Sequence, residues 1–202
     1  MQGVRQCPSV PPLSGCSSVP EPRPFQPRGV ILWHASAVQR FDGGAVAAAA
    51  IATSLGLASA VVSAYWAVGG LALLDTVGGV FEQWGRERPP GVIAAVWAIV
   101  VLKVIAAVAP LVLVGVGASR LPAWTRGPRA RILGWIAAVG LTVYGGVLTV
   151  VGLLVQAGVV AVADDADSHA LAWHAFFWDP WFAIWGVAFI VAMWRSRSEA
   201  AV

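Results

Sequence analysis

Charge is scarce in this chain of 202 residues: Asp, Glu, Lys and Arg together make up 11% of it. An ordinary soluble domain carries about a quarter, so that class is excluded first. Cysteine is nearly absent. Cys7 and Cys16 are the only two, too few for a zinc site or a disulfide framework. Missing as well are a Gly-rich phosphate loop, a metal-ligand spacing and a nucleophile elbow. No cofactor and no bound metal are therefore expected, and no reaction is named. Lysine occurs once, at Lys103, inside an apolar run from Gly91 to Val116.

Apolar length is what the chain has instead. It is 58% hydrophobic, with a mean hydropathy of +0.76. A helix needs about 20 apolar residues to cross a bilayer, and four stretches qualify, roughly 44–66, 92–116, 132–156 and 172–194. The fold class predicted is all-α, a four-transmembrane-helix bundle (residues 42–196). Residues 1–41 hold seven of the thirteen prolines and no long apolar run, so they read as a disordered Pro-rich tail. A gene start placed too far upstream is the competing expectation for that segment, because the first span needs only Arg40 ahead of it. The stretch Leu13-Ser14-Gly15-Cys16 lacks the apolar core of a lipoprotein signal, and Val62-Ser63-Ala64 resembles a signal-peptidase site. The run to Trp66 is long for a signal core, so the first span is read as an anchor. Residues 197–202 form a short second tail.

The placement of the basic residues orients the spans. Arg5, Arg23, Arg28, Arg40, Arg120, Arg126, Arg129, Arg131, Arg195 and Arg197 fall on one side, and only Arg86 and Arg88 on the other. The positive-inside rule then predicts a plasma-membrane protein with both termini cytoplasmic. These arginines read as orientation signals, so membrane lipids are expected as partners and nucleic acid is not. Trp66, Trp84, Trp178 and Trp181 fall near the outer boundary, and Trp33, Trp124, Trp135 and Trp194 near the inner one. That distribution suits an aromatic belt.

Within the spans, small and polar residues mark the packing faces. In the third, Ala138, Thr142, Gly145, Thr149, Gly152 and Gln156 recur at steps of three and four, which aligns them on one helix face. Such faces let membrane helices approach closely. Ala49, Ala52, Gly56, Ser59 and Ser63 form a similar stripe in the first span. Lys103 shares its face with Ala106, Ala107 and Pro110, and the proline frees the Ala106 carbonyl. The simplest assembly packs these three faces together with Lys103 inward. Its depth is about 16 Å from Val92, where an ionisable group is expensive unless it is paired or functional.

The candidate polar site comprises Asp75, Glu82, Lys103, Tyr144, His174 and Asp179, expected to gather in the outer half of the bundle. Asp75 and Glu82 meet Lys103 only if the 71–82 loop re-enters the membrane; otherwise Glu82 pairs with Arg86 or Arg88. For Lys103 the structural partners are the Ala106 carbonyl, Tyr144 or Thr149. Asp164, Asp165, Asp167, His169 and His174 match no metal spacing. Asp179-Pro180 reads as the N-cap and first position of the fourth helix. The leading functional expectation is non-enzymatic: binding of a lipid, a small hydrophobic molecule or a partner membrane protein. Proton- or ion-coupled transport through Lys103 is one alternative. Intramembrane lipid chemistry with Glu82 or His174 as base is the other.

Several segments also carry a family likeness. They are Tyr65-Trp66-Ala67-Val68-Gly69-Gly70, Leu74-Asp75-Thr76-Val77-Gly78-Gly79 running on to Glu82, Lys103, Tyr144-Gly145-Gly146, Trp173-His174 and Trp178-Asp179-Pro180-Trp181-Phe182. Over about residues 44–196 the chain resembles a family of small actinobacterial four-helix membrane proteins known only as a domain of unknown function. The resemblance implies four spans and no assigned activity, so it carries over no functional residue.

Overall fold

The computed structural model describes residues 42–117, 120–163 and 165–197. The expected Pro-rich tail, Asp164 and the last residues of the chain lie outside them. Among the described residues, four helices are long and apolar enough to cross a membrane. Helix α1 (Gly43–Ala67) starts at Asp42, whose carboxylate accepts from Gly44 N at 3.0 Å. A connecting segment leads to the short helix α2 (Gly79–Glu87), and α3 (Pro90–Leu113) follows with proline at its first position. A 3-10 turn (Ala123–Arg126) leads into α4 (Pro128–Gln156). The fourth crossing is composite: α5 (Ser168–Trp173), a π turn (His174–Trp178) and α6 (Asp179–Arg195) run on without a break.

Asp179 therefore does not cap a helix, contrary to the sequence expectation. The cap lies further back at Asp167, whose Oδ1 accepts from His169 N at 3.0 Å and Ala170 N at 3.1 Å. Pro180 is reached inside a helix because the widened π turn, in which Asp179 N bonds the His174 carbonyl, leaves room for a ring that would clash in α geometry.

Packing joins α1 to α3, α4 to α6 and α1 to α6, while α3 touches α4 only lightly. The expected union of the three small-residue faces is accordingly corrected. The α1 stripe does pack inward: Ala49, Ala52, Gly56, Ser59 and Ser63 are all buried, and Gly56 faces Trp185 and Ala107. The α4 stripe packs instead on the fourth crossing. Gly145 lies against the Asp179 carbonyl and the backbone of Phe182 and Ala183, Gly152 against Ala175, and Gly186 of α6 against Thr142 and Ala138. Thr142 and Thr149 turn their hydroxyls back to the carbonyls of Ala138 and Gly145 in their own helix. Gln156, at the end of the stripe, is exposed. The physical reason is reciprocity: α6 offers its own glycine opposite Thr142, so two helices without bulk at the crossing meet at backbone distance.

The half of the bundle toward the start of α1 and the ends of α3 and α6 is solid. Trp185, Phe189, Met193, Ala107 and Ala138 are buried together, and Thr53 Oγ1 donates to the Ala107 carbonyl at 2.7 Å, next to the carbonyl that Pro110 leaves free. At the same end Arg131 ties three helices. Its guanidinium donates to Leu113 O at 3.4 Å, to Met193 O at 3.5 Å and to Ser196 Oγ at 3.3 Å. The two carbonyls lie in the last turns of α3 and α6, where a cation is favoured.

Candidate functional site

The other half, toward α2, is not solid. A cavity of about 320 Å³ lies between α1, α3 and the π turn, under α2. Its floor is Lys103, whose Nζ donates to Ser63 Oγ at 2.8 Å and stands 5.4 Å from the centre of the Phe182 ring. That geometry is a cation–π contact. Tyr144 meets the same Phe182 ring edge-on at 5.7 Å. Tyr144 is 53% exposed and Ile99 47%; with α3 and α4 barely touching, the cavity is open sideways between those two helices.

The upper wall is built by aromatic rings and the 71–78 segment. Trp66 and Trp178 meet edge to face at 5.8 Å. Each has its indole N–H fixed: Trp66 Nε1 donates to Ala72 O at 2.9 Å, and Trp178 Nε1 to Thr76 Oγ1 at 3.0 Å. Thr76 in turn donates to Leu73 O. These tryptophans, expected in a belt, are thereby committed to the cavity wall and to holding the loop above it. Gly78, in left-handed backbone at φ +64°, packs onto Ala170 of α5, where a side chain would have no space.

Three further groups complete the site. His174 bridges the loop to α6, with Nδ1 3.3 Å from Asp179 Oδ1 and Nε2 3.3 Å from Val77 O. Asp179 is only 4% exposed, so the imidazole is the partner that makes its burial tolerable. Arg88 reaches down onto the end of α1, with Nη2 3.0 Å from Ala67 O and Nη1 3.3 Å from Trp66 O. Its charge is thus engaged by a helix C-terminus.

Of the six predicted polar residues, the structure brings Lys103, Tyr144 and His174 to one cavity, with Asp179 directly behind His174. Asp75 and Glu82 are elsewhere. Asp75 is exposed, with its carboxylate 3.7 Å from His169 Nε2, and Glu82 pairs with Arg86 at 2.7 Å along α2. The loop does fold down far enough to bury Leu74 and Thr76, but it turns its acids outward. Among the described residues, Lys103 meets neither an acid nor the Ala106 carbonyl, Tyr144 or Thr149; Ser63 takes that place. Ser63, Arg88 and Phe182 escaped the sequence reading as site residues. Ser63 carried a signal only as the last member of the α1 stripe; it lies nearer the end of its span than Lys103 does, and the lysine side chain reaches toward that end to meet it. No three-His/Cys/Asp/Glu cluster suited to a metal occurs among the described residues.

Four helices of membrane-crossing length, packed around a laterally open cavity, define a helical bundle of the multi-pass membrane class. Residues 56–189 match the family model described as "Protein of unknown function (DUF3995)", and the chain belongs to that family. The match contains the whole cavity lining, from Ser59 to Phe182. Comparison with curated proteins and with solved structures gives no match.

Proposed function

We propose that this protein sits in the plasma membrane with both termini cytoplasmic and binds a lipid or small hydrophobic molecule in the cavity above Lys103. One observation carries the reading: a cavity of about 320 Å³ has mostly apolar walls and a single half-buried cation on its floor. Ligand pockets are of this kind, apolar with a few convergent polar groups, and begin at about 300 Å³. The ten-to-two bias of the basic residues supports the orientation.

The rival readings draw less support. A transport path needs a continuation below Lys103, but Ala107, Trp185, Phe189 and Met193 are almost fully buried there. Lipid chemistry needs a free base, but Glu82 is paired with Arg86 outside the cavity and both His174 nitrogens already face acceptors. The test fills the space. Val96 lines the cavity from α3, and Val96→Trp should abolish co-purification of a bound hydrophobic molecule, detected by native mass spectrometry, while the helical content stays unchanged. Undiminished ligand in a folded Val96→Trp protein would sink the proposal.

A further inference from the structure

We infer that the cavity takes an acidic amphiphile, a single apolar chain with one anionic group, and that the anion sits on Lys103 and Ser63. The inference rests on the binding role proposed above and names the ligand class.

The charge balance of the cavity comes first. Its ionisable lining residues among those described are Lys103, Arg88, His174 and Tyr144, and none is a carboxylate. The nearest acid, Asp179, is turned onto His174, and Asp75 and Glu82 are directed to solvent-side partners. Arg88 is engaged by two helix-end carbonyls. Lys103 is not comparably satisfied. An ammonium has three N–H donors, and in this structure one hydroxyl accepts from it and one aromatic face lies near it. The Phe182 face is itself an arrangement that favours a cation. A cation within the spans is expensive when unpaired, so a ligand anion removes a cost that the protein's own residues leave standing. Ser63 Oγ, held within reach of the same point, adds a hydroxyl donor.

The shape of the cavity selects the rest of the ligand. From Lys103, the apolar residues Ile99, Val96, Ile93 and Val92 line one side of the slot up to α2, with Trp66 and Trp178 opposite. Along α3 the backbone from Lys103 to Val92 covers about 16 Å; the ammonium, hydrogen-bonded to Ser63 four residues from the end of α1, reaches part of the way up it, and the remainder is a slot for one chain. A volume of about 320 Å³ lies at the bottom of the range for ligand sites and is too small for a two-chain lipid. Charge-assisted hydrogen bonds to a buried anion outweigh neutral ones by enough to change affinity roughly tenfold.

The test offers the full-length protein in detergent micelles five probes sharing one alkyl chain: myristate, its methyl ester, myristylamine, myristyl phosphate and dimyristoyl phosphatidic acid. Native mass spectrometry reads occupancy. Myristate or myristyl phosphate should exceed the ester and the amine by about tenfold, and the stronger of the two tells a free carboxylic acid from a phosphate head. Lys103→Met should bring the acid down to the level of the ester, while Lys103→Arg should keep the preference. Equal binding of acid, ester and amine to the wild-type protein would overturn the acidic-ligand inference and leave hydrophobic binding intact. A preference that survives Lys103→Met would overturn the assignment to Lys103, and strong binding of the two-chain acid would overturn the single-chain slot. If none of the probes binds, both this inference and the binding role fall.

Discussion

Gly145→Ala is the sharpest test of how this bundle is built. A Cβ at Gly145 would stand 2.6 Å from the Asp179 carbonyl oxygen and 2.9 Å from the Phe182 carbonyl carbon, and closer still to Ala183 N. Ordinary contacts between heavy atoms begin near 3.5 Å, so α4 and α6 must separate by about 1 Å. The opposing atoms are backbone, so no side-chain rotation relieves the clash. Overpacking costs about 1–3 kcal/mol, and a rigid site belongs at the upper end. About 3 kcal/mol is roughly a hundredfold in the folding equilibrium. Its neighbour supplies the control: a Cβ at Gly146 meets nothing within 4 Å, and alanine there gains up to about 1 kcal/mol in helix propensity. Reversible unfolding in mixed micelles, followed by circular dichroism, compares the two. Equal stability of Gly145→Ala and Gly146→Ala would refute the backbone-distance contact between α4 and α6.

Other substitutions separate the remaining contacts. Lys103→Met keeps the side-chain volume and removes a cation that no acid offsets, so stability in the same assay should change by less than about 1.5 kcal/mol; breaking a buried ion pair would cost about 3–5 kcal/mol instead. His174→Ala leaves the buried Asp179 carboxylate without its imidazole partner and should destabilise by about 2 kcal/mol or more, whereas Asp179→Asn, which keeps an acceptor, should cost less. Thr53→Val removes the hydroxyl that bonds the Ala107 carbonyl, at a cost of about 0.6–1 kcal/mol in a membrane helix pair. Asp167→Ala deletes the cap of α5 and should cost about 1 kcal/mol, with faster amide exchange at His169 and Ala170.

Much of the architecture was legible because membrane helices advertise themselves through length and apolarity. The four spans needed only that, and the glycine and threonine spacing in α4 correctly marked a close contact. The identity of the facing helix was not legible, because a stripe of small residues says how near a neighbour comes and not which one it is. Asp179-Pro180 misled for a physical reason. Those two residue types begin many helices, and a π turn that admits proline within a helix leaves no local signature in Ala175-Phe176-Phe177. The same turn adds one residue to the helical repeat, so a 3.6-residue wheel drawn through 168–195 places α5 on the wrong face. In the site, Lys103 was conspicuous as the only lysine, but its partner was not. Ser63 lies forty residues away on another helix, and a hydroxyl in a run of small residues looks like packing.

Arg131 has a mechanical consequence. It fastens the ends of α3 and α6 to the start of α4, while α3 and α4 touch only lightly. Tyr144 stands thirteen residues beyond Arg131, about 20 Å along α4, and its neighbour Gly145 lies at backbone distance from the fourth crossing. Helix α4 therefore cannot swing alone about Arg131: the α4 wall of the cavity is fixed through α6, and any widening beside Tyr144 has to come from the α3 side.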